Sequence, residues 1–100
     1  MDAIQIPRKV YDRVLKRIEK DFYEEFGSNP EQIKYTREEF ILQHAKYMRF
    51  WDKKMPEIKP GMNIEDVASH AIATNSKKNM LGRIRELDIE EEVCAARDLL

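Results

Sequence analysis

Few side chains in this sequence can do nucleophilic, acid–base or metal chemistry: Cys94, His44, His70 and the carboxylates. A catalytic thiol works as its thiolate, which an electropositive setting favours. Cys94 instead sits between Val93 and Ala95, just after Glu90, Glu91 and Glu92. Acidic neighbours raise a thiol's pKa, so the sequence points to a buried or idle cysteine. Asp66 and His70 are spaced i, i+4, on one helix face. Two ligands so placed can grip a metal, but a structural zinc site needs four, and an ordinary helical side-chain pair has the same spacing. There is no glycine-rich phosphate loop, Cys-x-x-Cys, His-Glu-x-x-His or Gly-x-Ser-x-Gly. No catalytic residue, metal or cofactor is expected, and the chain reads as a non-enzyme.

His44 belongs to the stretch around which the rest is organised, 36–55, TREEFILQHAKYMRFWDKKM. Thr36 and Glu39 form a capping box. Glu38 and Glu39 lie near the positive end of the helix dipole, Lys53 and Lys54 near the negative end, and Pro56 stops the helix. At about 100° per residue, Phe40, Ile41, His44, Tyr47, Met48, Trp51 and Met55 gather into one apolar arc, with Ala45 at its edge. His44 is in the middle of that arc. One reading is a packed histidine whose ring nitrogens find a backbone carbonyl or a carboxylate; the other is a ligand, base or pH switch. Glu-x-x-His, a helical di-metal signature, is absent, because Ile41 stands where the glutamate would be. Leu42 and Phe50 fall outside the arc, among Gln43, Lys46, Arg49 and Lys53, which implies a second contact there.

One hundred residues make a single domain that buries about two-thirds of its unfolded surface. The lone cysteine rules out a disulfide framework and, with the high Lys and Glu content, fits a reducing cytoplasm. MDAIQIPRKV lacks the apolar run of a signal peptide, and no segment approaches the ~20 apolar residues of a membrane span. A net charge of −1 gives the whole-protein field no pull toward nucleic acid or an anionic membrane.

In chain order, Ala3–Ile6 alternates weakly and reads as extended. A helix then runs from Pro7, suited to a first helical position, to Phe26, with Gly27 past its end. Val10, Tyr11, Val14, Leu15, Ile18, Phe22 and Phe26 share one face. The opposite face carries Lys9, Arg13, Lys16, Arg17 and Lys20, while the acids come late, at Asp21, Glu24 and Glu25. That order runs against the helix dipole, at a cost of a few tenths of a kcal/mol per charge. Such a stripe is either a solvated face or a docking strip for phosphates or an acidic protein. Residues 28–30 read as a turn or cap and 30–35 as a short helical turn. PEIKPG, 56–61, is a connector. Asn63 caps a helix with Ile64, Val67, Ala68, Ala71 and Ile72 on its apolar face. A break is expected at Thr74-Asn75-Ser76. A further helix then carries Met80, Leu81, Ile84 and Leu87, with Gly82 either marking a close helix approach or a weak spot. Asp88 is read as the cap of a last helix. One continuous helix over 77–99 stays open as the alternative, though the Glu90–Glu92 cluster favours a break.

Two stretches resemble DNA-binding motifs. Ile64 to Leu87, read as helix, short turn, helix, resembles a helix-turn-helix, and the resemblance would turn Lys77, Lys78, Asn79 and Arg83 toward a groove or its phosphates. Ile72 stands about where that family has its turn glycine. AIQIPRKVYDRV followed by TREEFILQHAKYM resembles a ribbon-helix-helix protein, with a longer first helix and connector than that family has. Neither extends over half the chain, and neither identifies a family.

The expected fold is all-α: one compact domain, 1–100, of four to five helices. Two long antiparallel helices (7–55) pack, across a connector (56–62), with shorter helices (63–100). The expected function is that of a small regulatory or interaction protein that binds a protein partner, a second copy of itself included, through a helical surface. Tyr23, Leu42 and Phe50 are the candidate contacts. The alternative is a nucleic-acid-binding regulator using Lys9, Arg13, Lys16, Arg17 and Lys20, or Lys77, Lys78, Asn79 and Arg83. Acidic residues interrupting the basic clusters would favour the protein partner; a continuous basic patch would favour nucleic acid.

Overall fold

Local signals set most of the helix ends in the computed structural model, which describes residues 5–27 and 35–100. Helix α1 (Arg8–Phe26) starts after Pro7 and ends at Gly27, whose φ of 72° a side chain would resist. Helix α2 (Arg37–Lys54) is capped by Thr36, whose hydroxyl accepts the Glu39 amide at 3.2 Å. Helix α3 (Ile64–Glu86) is capped by Asn63, whose side-chain oxygen accepts the Asp66 amide at 2.8 Å. Helix α4 (Glu90–Leu99) follows a tight turn. The described chain is all-helical, with the four helices packed together.

Two aliphatic cores lie along α3. Its N-terminal half meets α1 through Ala68 and Ile72 against Val14 and Ile18, with Trp51 of α2 at the edge. Its C-terminal half presents Ile84 to Ile41, Ala45 and Met48 of α2 and to Ile89 and Val93 around α4. Helices α1 and α2 are antiparallel, as Phe22 against Trp51 and Phe26 against Tyr47 show, and they meet through rings. The molecule is accordingly elongated, 44 × 27 × 23 Å.

The expected break at Thr74-Asn75-Ser76 does not occur: α3 is one helix of 23 residues, the longest of the four, so the C-terminal half is not made only of shorter helices. Thr, Asn and Ser cost only about half a kcal/mol each in a helix interior. Packing on both sides offsets this: Ile72 and Ala73 are buried before the stretch and Ile84 after it, and the Thr74 hydroxyl donates to Met55 Sδ at 3.1 Å. Without a turn there, the two-helix geometry of a helix-turn-helix is absent.

The break falls instead at Leu87-Asp88-Ile89, so 77–99 is not one helix. Asp88 does not cap α4. It is the left-handed residue, φ 56°, that closes α3. Its amide donates to the Arg85 carbonyl at 3.1 Å and the Ile89 amide to the Ile84 carbonyl at 3.3 Å, while Ile84 and Ile89 share a core. That pattern is a Schellman motif with its apolar contact. Gly82 marks no close helix approach, because a Cβ placed there would meet nothing within 4 Å. The expectations for Ala3–Ile4 and for 28–34 lie outside the described residues.

Candidate functional site

The residues with chemical potential stay apart. His44 is buried, and its Nδ1 lies 2.9 Å from the Phe40 carbonyl one turn back. Its ring packs between Phe40 and Tyr47, at centroid distances of 4.4 and 5.9 Å. This is the packed histidine with a carbonyl partner. It also borders a cavity of about 470 Å³ whose walls include Phe22, Trp51 and Met80. Cys94 is half-buried against the α2–α3–α4 core. Among the described residues no three His, Cys, Asp or Glu side chains stand close enough to hold a metal ion.

The basic residues of α1 divide. Arg13 pairs with Glu65 at the start of α3. Arg17 lies 3.8 Å from the same carboxylate and donates to Ser69 at 3.3 Å. Lys20 reaches Glu24 at 3.9 Å, while Lys9 and Lys16 are exposed. On α3, Lys77 pairs with Asp52 of α2, and Arg83 lies 6.0 Å from the Phe40 ring centre. Lys78 and Asn79 are exposed. Carboxylates therefore interrupt both basic clusters.

A third basic set lies on the outer face of α2. Lys46, Arg49 and Lys53 are exposed and form no ion pair among the described residues. They make one wall of a groove of about 870 Å³ between α1 and α2. The facing wall is acidic: Asp21, Glu24 and Glu25. Asp21 accepts from Lys54 at 2.8 Å, a hydrogen bond that holds its carboxyl below the ordinary value of 3.8. Phe26, Phe50 and Leu100 line the groove between the walls.

The large rings are what keep the groove open. Phe26 stands 4.6 Å from Tyr47 and 5.7 Å from Phe50, centre to centre, and side chains of this size separate helix axes. Of the three expected partner contacts, Phe50 is buried to 8% exposure and lines the groove. Leu42, 39% exposed, precedes Lys46 by one turn on the same outer face. Tyr23 is 54% exposed and does not line the groove. Lys46, Arg49 and Lys53, which surround Leu42 and Phe50 in the sequence, are not among the expected site residues, although their i, i+3, i+7 spacing marks one helix face.

Among the described residues, no helix is long and apolar enough to cross a membrane. Comparison with protein-family models, with curated proteins and with solved structures finds no match.

Proposed function

We propose that the chain is a small non-enzymatic interaction protein, working in the reducing cytoplasm, that binds a protein partner through the groove between α1 and α2. One observation carries this reading: an apolar strip lies between an acidic wall and a basic wall whose lysines and arginine have no partner within the described chain. Protein interfaces combine an apolar centre with a polar rim of matched charge. A nucleic-acid backbone presents one sign only, and the acidic wall of Glu24 and Glu25 would repel it. The pairing of Arg13 and Arg17 with Glu65, and of Lys77 with Asp52, counts against the nucleic-acid alternative in the same way.

The test is a photo-reactive side chain placed at Leu42 in host cells, with the same group at Lys9 on the α1 stripe for comparison. The expected outcome is a discrete adduct from position 42 that protease destroys and nuclease leaves intact. No adduct at 42, or one that nuclease removes, would overturn the reading. A nuclease-sensitive adduct at position 9 would move the function to the α1 stripe and nucleic acid.

A further inference from the structure

The groove has a property that narrows what can fill it. A partner must offer bases to Glu24 and Glu25 and, alongside them, acids to Lys46, Arg49 and Lys53. It must also cover Leu100 and the half-buried Phe26, with Phe50, already buried, forming the floor beneath them. A uniformly acidic or basic surface satisfies one wall and is repelled by the other, since like charges brought together in an interface oppose binding. The groove itself carries the required pattern. Turned by a two-fold axis, the acidic wall of one copy meets the basic wall of the other, twice over, and apolar strip meets apolar strip.

We infer that the occupant of the groove is a second copy of this chain, docked groove to groove about a two-fold axis. The inference rests on the reading of the groove as a protein-docking surface. Among the described residues of one chain, the walls are bridged only where Lys54 reaches Asp21. Lys46, Arg49, Lys53 and Glu25 have no ion pair among the described residues, and Glu24 has only a 3.9 Å contact with Lys20. These charges are thus left available for contacts between chains. A net charge of −1 adds almost no general repulsion between copies. Leu42, 39% exposed, does not line the groove but stands one turn before Lys46, beside the basic wall.

Charge reversal separates this arrangement from every other. One variant carries Lys46→Glu, Arg49→Glu and Lys53→Glu; the other carries Glu24→Lys and Glu25→Lys. All five side chains lie at the surface of the groove, and circular dichroism checks that both variants fold. Sedimentation over a concentration series should give a dimer for the native chain that weakens with salt. Each variant alone should dimerise about a hundredfold more weakly or worse, because like charges now face each other. Mixed one to one, the two variants should recover a dimer, because every wall again meets its opposite.

A native chain that stays monomeric throughout overturns the inference, as does a dimer that neither reversal weakens, or two weakened variants that do not rescue each other. If the inference fails but position 42 still crosslinks to a different protein, the groove remains a docking site and only its occupant changes. If position 42 crosslinks to nothing, both readings fail together.

Discussion

At the α4 end, helices meet through small and branched aliphatic side chains. Ala45 of α2, Ile84 of α3 and Val93 of α4 are each at 0% exposure, and the turn into α4 is closed by its own hydrogen bonds. At the α1 end, aliphatics pack α1 on α3, but α1 meets α2 across Phe22, Phe26, Tyr47, Phe50 and Trp51. The first arrangement brings backbones close and seals the interior. The second sets them apart and leaves a groove that charged residues line. Side-chain size decides which end is closed and which keeps a groove.

The sharpest way to break this comparison is to cut one large apolar side chain at each end. Ile84→Ala should cost about 3–5 kcal/mol, the upper part of the range for such truncations, because the closed end has little freedom to collapse into the void. Phe50→Ala should cost about 3 kcal/mol, the bottom of the range for such truncations although the ring is larger, because it borders the groove and its neighbours and water can move in. Urea unfolding of both variants measures this. A larger loss from Phe50→Ala would mean that the aromatic stack is as closed as the aliphatic core.

The same difference explains what could be read from the sequence. Caps at Thr36 and Asn63 and the stop at Gly27 were legible, because each depends on a few neighbouring residues. The continuity of α3 was not. At about 100° per residue, its apolar residues before Thr74 and those after Asn79 fall on roughly opposite faces. Two stripes out of phase look like two helices, yet here one helix faces α1 with its first half and the α2–α4 side with its second. A single buried arc on α2 puts Phe50 on an outer face. That helix is instead covered by three neighbours. The all-α class and the basic face of Lys46, Arg49 and Lys53 are encoded locally. The acidic wall opposite them arises only when α1 folds back, and the Arg13–Glu65 pair spans 52 positions, so neither is visible in any local pattern.

A smaller effect probes the backbone of α3 and its closing turn. Gly82 is exposed, in ordinary helical conformation, with open space where a Cβ would sit. Gly82→Ala should therefore stabilise the protein by about 1 kcal/mol, the full helix-propensity difference. Asp88→Gly should add several tenths of a kcal/mol more by relieving the positive φ. A rise in the unfolding midpoint for both, with unchanged cooperativity, is the expected result. No gain from Gly82→Ala would mean that α3 is not continuous through this turn.

The finest comparison sets one carboxylate at each end against the other. Asp21 is held below its ordinary 3.8 chiefly by the hydrogen bond from Lys54. Glu92 is held below its ordinary 4.5 chiefly by the hydrogen bond from Arg37, at 2.7 Å, and then by its own backbone amide in the first turn of α4. In both cases the folded value is the lower one. The stabilisation is therefore complete above the ordinary value and is lost as the pH falls through it toward the lowered one. Both groups face solvent, so the contribution is modest and shrinks with salt. Lys54→Met should raise Asp21 toward its ordinary value, because the largest lowering cause is gone and the attraction of Arg17 and Lys20 that remains is opposed by desolvation. Arg37→Met should leave Glu92 still below 4.5, because the helix amide stays in place. Carboxyl titration followed by NMR reads both values directly. Equal recovery in the two variants would mean that the α4 terminus gives Glu92 no help, and that the two ends treat their carboxylates alike.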